Sequence, residues 1–501
     1  MPHTWGGMHP RPTTSADPAR ELLDDFPEYA TTQILDHLRS TEYARLDIGG
    51  QAYLDYTGGG MYADSQIREH AASLSGQVLG NPHSVSLSSS ASTTLVERAR
   101  RAVLEFFGAT DDYTAIFTLN ASGALKLVGE SFPFVEGGRF VLAFDNHNSV
   151  NGIREFARAK GATFDYAPLT LPDLRIDRSA LDALLASGNR SMPRLFAFPA
   201  QSNFSGVQHP LDLIEAAHQA GWQVLLDAAA YVPTNALDLR TVQPDFVTVS
   251  FYKMFGYPTG VGCLLVHKRA LPLLRRPWFA GGTVNFATVQ GKAHILSPGE
   301  AGFEDGTLNY LSIPAVEIGL RHLQRIGIDT IHTRVQSLAG WLLRKLLDLR
   351  HANGRHMVRI YGPATMKARG ATLTMNLYDP EGHLIDYRRV EELASERRIS
   401  LRTGCFCNPG AGESAEGLNE DDMRAAMHAG VDMNLQKFVQ LMQTRGGKAA
   451  GAIRVSFGLA SNVDDAARFL EFAEELRDQT RLTLGDVSFD IENCRVIRDG
   501  A

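Results

Sequence analysis

The sequence predicts an α/β fold, with a mostly parallel sheet in a large domain and a smaller α+β domain after it. From about residue 95 to 270, short β-rich apolar runs alternate with helical patterns. Beyond about residue 310 the pattern changes to long helices followed by pairs of strands. With 44% hydrophobic and 21% charged residues, the 501-residue chain has the composition of a globular protein rather than a disordered one.

The predicted elements divide the chain into three parts. Six apolar runs are predicted strands of the large domain: Thr114–Thr118, Arg139–Phe144, Arg194–Phe198, Gln223–Leu226, Asp245–Ser250 and Gly260–Val266. Helices are predicted at about 93–107, 122–131, 211–220, 314–326 and 335–349, and further strands near 357–361, 371–377 and 452–457. We therefore expect an N-terminal arm over residues 1–40, a large domain over 41–310 and a small domain over 311–501.

Charge and composition exclude several classes of partner. The formal charge of -7 gives no basic footprint for nucleic acid. No run approaches the roughly 18 apolar residues of a membrane span, and the first thirty residues lack an apolar signal core. The four cysteines, Cys263, Cys405, Cys407 and Cys494, are too few for a disulfide framework. We expect a cytoplasmic protein with no nucleic-acid or membrane partner.

Two charged residues follow consecutive predicted strands, where α/β sheets bind their ligands. Asp227 ends one apolar run, and Lys253 follows the next, 26 residues later. Singly, such an Asp is more often a helix cap or metal ligand, and such a Lys more often a surface residue. As a pair they favour pyridoxal 5'-phosphate (PLP), because the lysine amine can form a Schiff base with its aldehyde and the carboxylate can face its pyridinium nitrogen.

Other strand ends offer groups for the phosphate and the ring of PLP. The segment Asn120–Gly123 precedes a helical pattern, so backbone N–H groups there can bind an anion, although helix capping alone also explains it. Ser250 and Tyr252 offer hydroxyls. His147, just past the strand ending at Phe144, can stack on a ring, although a loop histidine is usually a solvated or capping residue.

Seven stretches of the sequence resemble one family. They are Tyr53–Thr57, Gly80–Ser84, Ala124–Glu130, Leu226–Ala230, Ser250–Gly256, Phe303–Thr307 and Arg402–Asn408. Within roughly residues 45 to 475, the chain resembles the class V aminotransferase family of fold-type I PLP-dependent transferases. Within that family it resembles the cysteine desulfurases, and in particular the NifS-like domain of molybdenum cofactor sulfurases.

The resemblance implies roles for the cofactor residues. Lys253 is then the Schiff-base lysine, Asp227 pairs with the pyridine nitrogen, His147 stacks on the ring, and Asn203 approaches the phenolic oxygen. The positions that match phosphate contacts are Ala121, Ser122, Ser250 and Tyr252. Thr283 matches a residue with which the dimer partner reaches the same phosphate, so a homodimer is implied.

The resemblance also implies a substrate and a nucleophile. Arg454 matches the arginine that binds the substrate carboxylate, for which a bidentate guanidinium is suited, and Arg402 is a second contact. Cys407 matches the nucleophilic cysteine, and Cys405 lies two positions short of that register. The two cysteines could instead be metal ligands, although no companion Cys or His pair stands nearby, or Cys407 could be a buried inert thiol. We expect no metal.

The implied function is a cysteine desulfurase that takes sulfur from L-cysteine, or a related small amino acid, as a persulfide on Cys407 and releases L-alanine. A flexible stretch from Gly404 to Gly412 would help Cys407 reach substrate and acceptor. Another class V PLP enzyme without persulfide transfer, such as a C–S lyase, epimerase or aminotransferase, is the alternative. A non-catalytic binding protein on a decayed scaffold is disfavoured because Asp227 and Lys253 are both present.

The sequence departs from the sulfurases in two ways. Full-length sulfurases carry a further C-terminal domain, and this chain ends at Ala501, so we expect a standalone sulfur donor rather than a complete cofactor sulfurase. Gly412 stands where those sulfurases often have a further Cys. The sulfur acceptor is therefore unidentified.

Overall fold

A computed structural model describes residues 17–82, 84–428, 437–438, 441–442 and 449–480, together with the backbone of 487–490 and 495–498. The chain has the predicted α/β architecture, with a seven-stranded sheet in its first part and a four-stranded antiparallel sheet toward its C-terminal end. Among the described helices, none combines the length and the apolar character that crossing a bilayer requires.

The central sheet contains all six strands predicted for the large domain. In chain order its strands are β1 Tyr113–Thr118, β2 Arg139–Ala143, β3 Thr163–Ala167, β4 Arg194–Pro199, β5 Gln223–Asp227, β6 Phe246–Ser250 and β7 Gly262–His267. Their order across the sheet is β1-β7-β6-β5-β4-β2-β3. Only β7 is antiparallel to its neighbours. The edge strand β3 was not predicted, because its mixed polar sequence lacks the apolar run of a central strand.

The central strands are apolar throughout because helices cover both faces of the sheet. Every residue of β4, β6 and β7 is buried. The helices of this part are Asp64–Ser75, Leu87–Phe106, Ala121–Ser131, Asn148–Asn151, Ile153–Ala159, Arg178–Ala186, Leu213–Gln219 and Phe251–Phe255. The second begins earlier than predicted, because Ser86 caps it by accepting from Ser89 N.

The C-terminal sheet is built from β8 Val358–Tyr361, β9 Thr372–Leu377, β10 Arg402–Gly404 and β11 Ala452–Ser456, in the order β8-β9-β11-β10. Its helices are Pro314–Ile326, Ile328–Asp348, Tyr387–Glu396, Pro409–Glu416, Glu420–His428 and Val463–Glu475. Gly327, at φ 87°, separates the first two, so the second begins at Ile328 rather than near 335 as predicted. Strand β10 was not predicted.

The N-terminal segment packs on the C-terminal part of the chain. Its elements are the helices Pro18–Asp25, Ile34–Glu42 and Arg45–Ile48 and the 3₁₀ turn Pro27–Thr32. The buried Arg334 donates to Thr32 O and to both oxygens of Asp36, while Arg39 forms an ion pair with Asp465 at 2.6 Å. The strand Ala52–Tyr53 then pairs in parallel with Ile399–Ser400. The predicted domain boundaries stay predictions.

Short pieces complete the described chain. Three two-stranded ribbons are Leu169–Thr170 with Arg175–Ile176, Val284–Thr288 with Ala293–Leu296, and Val487–Asp490 with Arg495–Arg498. Two further 3₁₀ turns are Leu271–Leu273 and Gly299–Gly302. The second ribbon is largely exposed, and its apolar side chains include Phe286, Val289 and Ile295.

Candidate functional site

A polar cavity lies beyond the carboxyl ends of β4, β5 and β6. It encloses about 610 Å³ of space that is continuous with solvent. Eight residues predicted from the sequence line it: Lys253, Asp227, His147, Asn203, Ala121, Ser122, Ser250 and Tyr252. They converge because parallel strands end at the same edge of a sheet. Gln201, which was not predicted, also lines this cavity.

Lys253 lies on the short helix Phe251–Phe255, directly after β6. Burial lowers the pKa of its amine, and the nearby Asp227 carboxylate acts in the opposite direction. Desolvation increases the neutral, nucleophilic fraction of an amine. The backbone beside it is tightly packed, since a Cβ on Gly60 would lie 2.8 Å from the Lys253 carbonyl oxygen.

Asp227 and His147 are held in defined orientations. Asp227 Oδ1 accepts hydrogen bonds from Ala229 N at 3.0 Å and from the Thr248 hydroxyl at 3.4 Å. His147 Nδ1 accepts the N–H of Ser149 at 3.1 Å, which requires that Nδ1 carry no proton. Burial lowers the pKa of His147, so a neutral ring with its proton on Nε2 is the stable form.

The helix Ala121–Ser131 begins at the cavity wall. Asn120 caps it by accepting from Gly123 N at 2.9 Å, and Ala121 N donates to the Ser250 hydroxyl oxygen at 2.9 Å. The Ser122 and Ser149 hydroxyl oxygens are 2.6 Å apart. Because Ser250 accepts from Ala121, its own proton remains available to a ligand. A helix N-terminus with hydroxyl groups around it suits a phosphate.

These groups fit PLP. Lys253 provides an amine with a lowered pKa, Asp227 a buried carboxylate, and the start of the helix Ala121–Ser131 a phosphate site, all in one cavity. His147 is a flat, uncharged partner for a ring. The four requirements of the cofactor are therefore met by residues that line the same space.

An arginine pair lies beside the cavity. Arg402 and Arg454 stand opposite each other on β10 and β11, and Asp55 bridges them. Asp55 Oδ1 is 2.9 Å from Arg454 Nη2, and Asp55 Oδ2 is 2.6 Å from Arg402 Nη2. Arg454 is close enough to lower the pKa of both Lys253 and His147. The two guanidinium groups and the Asp55 carboxylate together carry one net positive charge, which could be balanced by the carboxylate of one bound ligand.

Cys407 lies in a turn between β10 and the helix Pro409–Glu416. Phe406 and Cys407 both have φ near 55°, a left-handed backbone conformation that residues other than glycine rarely adopt. Cys407 is exposed, and its carbonyl oxygen accepts from Asn148 N at 2.7 Å. The Arg454 guanidinium lies 4.7 Å from the centre of the Phe406 ring.

The two neighbouring cysteines have different surroundings. Burial dominates the lowered pKa of Lys253, and Cys407 is near enough to act on that pKa in the upward direction. Burial also raises the pKa of Tyr387 to about 12, with a smaller contribution from Cys405. Cys407 is therefore associated with the cavity lysine, and Cys405 with the helix Tyr387–Glu396. Among the described residues, neither belongs to a group of three or more metal-ligating side chains.

The predicted flexible stretch from Gly404 to Gly412 is wrong for its last four residues, which lie in a helix, while the flexibility of the preceding part stays a prediction. A helix begins at Pro409, and its cap Asn408 is fully buried. At Gly410 a Cβ would lie 1.9 Å from the Phe144 carbonyl oxygen, so the helix start packs directly on the end of β2. The Asn408–Pro409 pair is a helix-start signal, although no helix was predicted here.

Two further residues lie elsewhere, and a third falls outside the described residues. Thr283 is fully buried and does not line the cavity of its own chain. Its hydroxyl bonds to the backbone of Ala280 at 2.9 Å. Cys263 is buried on β7, and burial raises the pKa of its thiol. Cys494 lies outside the described residues. The predicted contact of Thr283 with a neighbouring subunit stays a prediction.

Comparison with known proteins assigns the class. The family model "Aminotransferase class-V" matches residues 52–469, and the chain belongs to this family. It is 38% identical to the molybdenum cofactor sulfurase of Solanum lycopersicum, over 91% of this chain and 59% of that protein. It is also 38% identical to the Homo sapiens molybdenum cofactor sulfurase, over 88% of this chain and 51% of that protein. The chain thus spans between half and three-fifths of the length of these relatives.

Solved structures confirm the predicted fold. The apo cysteine desulfurase of Thermococcus onnurineus NA1 matches with a TM-score of 0.73 and 22% identity, covering 89% of this chain and 98% of that one. The Escherichia coli cysteine desulfurase CsdA matches with a TM-score of 0.69 and 18% identity, covering 92% and 99%. At sequence identities this low, the similarity to these two structures shows a shared fold.

Proposed function

We propose that this chain is a PLP-dependent cysteine desulfurase, which takes sulfur from L-cysteine as a persulfide on Cys407 and releases L-alanine. The observation that carries the proposal is the exposed Cys407 in a turn whose Phe406 carbonyl oxygen is bonded to Asn203, in the wall of the cavity of Lys253. Similarity to molybdenum cofactor sulfurases and to cysteine desulfurase structures supports it. A cytoplasmic, reducing compartment would keep the Cys407 thiol free for this chemistry.

Bound PLP supplies the electron sink that makes the substrate Cα acidic. The Lys253 amine, with its lowered pKa, removes the Cα proton and returns a proton to the product. Asp227 would keep a positive charge on the pyridine nitrogen favourable, and the helix start at Ala121 would hold the phosphate. His147, neutral in the stable form, would be the flat partner for the ring, and Asn203 in the cavity wall would be near its phenolic oxygen.

The substrate carboxylate is held by the arginine pair. Arg454 provides the main contact and Arg402 the second, while Asp55 keeps the two guanidinium groups together. This places the substrate sulfur toward Cys407. The Cys407 thiolate bonds to that sulfur as the Cβ–S bond breaks, and the electron pair left on Cβ takes up a proton in alanine. An acceptor thiol or cofactor outside the chain then removes the persulfide sulfur.

Product analysis tests this proposal. Incubation of the PLP-loaded protein with L-cysteine and a thiol reductant is expected to yield alanine and sulfide in equal amounts. Amino-acid chromatography measures the alanine, and L-serine, which lacks the sulfur, is the control substrate. Pyruvate with ammonia would instead identify a C–S lyase, and a transaminated keto acid an aminotransferase, and either would contradict the proposal.

We also propose a homodimer. Several apolar side chains near Thr283 are exposed, including Trp278, Phe286, Val289 and Ile295, and monomers rarely expose so many together. A second copy covering this ribbon would bury them by a two-fold contact. For Thr283 to reach the neighbouring phosphate site, its hydroxyl would have to exchange its bonds to Ala280 for the ligand. Light scattering is expected to report a dimer for the wild type.

The double variant Phe286→Asp with Ile295→Asp is expected to be monomeric and to retain less PLP. Ile48→Asp is the matched control, because Ile48 is 87% exposed outside the ribbon. A wild-type monomer with full PLP content and full activity would refute the proposed assembly.

A further inference from the structure

Asn408 uses its whole amide group at the turn that carries Cys407. Its Nδ2 donates to Asp145 O at 2.7 Å and to Asn203 Oδ1 at 2.9 Å. Its Oδ1 accepts from Ala411 N at 3.2 Å and so caps the helix Pro409–Glu416. The side chain is fully buried. Capping requires only the oxygen, so the two bonds from Nδ2 serve something besides the helix.

Asn203 completes the arrangement from the cavity wall. Its Nδ2 donates to Phe406 O at 2.8 Å, its Oδ1 accepts from Asn408, and its backbone oxygen accepts from Arg454 Nη1 at 2.9 Å. The carbonyl oxygens of Phe406 and Cys407 are thus both held, the first by Asn203 and the second by Asn148 N. Buried amides left without partners are costly, so this pairing is strongly specified.

The held turn has an unfavourable backbone. Phe406 and Cys407 are consecutive non-glycine residues at φ 55° and 54°. Each would relax to an ordinary conformation if the surrounding bonds did not impose this one. Relaxation at Cys407 would change the direction of its Cα–Cβ bond and so the position of the thiol.

We infer that Asn408, through its amide pair with Asn203, is the positioning residue that fixes the Cys407 thiol against the cavity. The inference rests on the proposed function, in which Cys407 must meet the substrate sulfur. Asn408 touches no reacting atom, and it acts by setting the backbone of Phe406 and Cys407. A displacement of about 1 Å at a reacting group can reduce turnover about a hundredfold.

The variant Asn408→Ser separates positioning from capping. A serine oxygen still caps the helix by accepting from Ala411 N, but it does not reach Asp145 O and Asn203 together. Alanine formation is expected to fall about tenfold to a hundredfold in kcat, while KM for L-cysteine stays within about twofold, since the Asp55 bonds that hold the arginine pair do not involve Asn408.

Amide hydrogen exchange provides a readout that does not depend on turnover. In the PLP-loaded variant, peptides covering 402–408 and 145–151 are expected to exchange about tenfold faster, because Asn148 N loses its fixed acceptor on Cys407. A peptide covering 410–416 is expected to remain as in the wild type, since the cap is kept. Asn408→Asp, which keeps the shape and the cap but lacks both donors, repeats the test if the serine variant folds poorly.

Asn462→Ser is the matched control. Asn462 also caps a helix, Val463–Glu475, by accepting from Asp465 N at 3.1 Å. This variant is expected to leave turnover and the exchange rates of both peptides unchanged. Wild-type exchange at 402–408 and 145–151 in both Asn408 variants would overturn the inference, as would faster exchange with normal turnover. If wild-type protein itself makes no alanine, the proposed function fails, whereas the exchange result still reports whether Asn408 holds the turn.

Discussion

The variant Lys253→Ala is expected to lose alanine formation by at least about a thousandfold, the largest effect of any single substitution. Lys253 is both the attachment point for the cofactor and the base in the proposed reaction, and no other lysine lines the described cavity. The purified wild type is expected to be yellow, with a visible band that borohydride reduces. In the variant that reducible band should be absent.

Absorption spectra before and after borohydride, followed by peptide mapping, measure this effect. Reduction should fix the cofactor on the peptide that contains Lys253. Lys268→Ala is the control, because Lys268 is exposed on the turn after β7. A reducible band of wild-type intensity in Lys253→Ala would show that another group holds the cofactor.

The variant Cys407→Ala is expected to bind PLP and L-cysteine normally and yet to form no persulfide. In the proposed reaction PLP binding would depend on Lys253 and Asp227, and substrate binding on Arg454, whereas sulfur removal would need the thiol. We expect the rate of alanine formation to fall by about a thousandfold, because Cys407 is the only exposed cysteine among the described residues. Cys405→Ala should have a milder effect, since Cys405 lies near Tyr387.

Two measurements separate these cysteines. Alanine formation gives the rate, and mass spectrometry of the peptide that contains both residues locates an additional sulfur atom. A persulfide on Cys407 in wild type and in Cys405→Ala is the expected pattern. Normal alanine production by Cys407→Ala, or sulfur found only on Cys405, would assign the nucleophile elsewhere.

The parts of the fold that the sequence predicted are those with a local signal. Strands β4 to β7 are apolar runs buried on both faces, so their positions could be read directly. Strand β3 is an edge strand with polar residues, and β10 has only three residues and exists because it pairs with β11. Neither carries a pattern that a single segment would reveal.

The difference between local signals and long-range contacts also explains which site residues could be predicted from the sequence. Lys253, Asp227 and His147 lie at or just after the ends of strands. Because the carboxyl ends of parallel strands meet at one edge of the sheet, the three residues could be predicted to lie together. The bridging role of Asp55 depends on Arg402 and Arg454, which lie far away in the sequence, and the bonds of Asn408 to Asp145 and Asn203 are equally remote. No local pattern encodes such contacts, although the Asn-Pro pair could have identified Asn408 as a helix cap.

The pairing of Ala52–Tyr53 with Ile399–Ser400 joins two segments that are remote in the sequence, and Asp55 comes shortly after the first of them. Asp55 and the arginine pair, which would bind the substrate carboxylate, therefore come together only when two remote chain segments meet. The central sheet lies between these segments in the sequence, and we expect it to form first. Such long-range closure is slow and comes late in folding. A chain still being synthesised would therefore acquire its cofactor pocket before it acquired any preference for an amino acid.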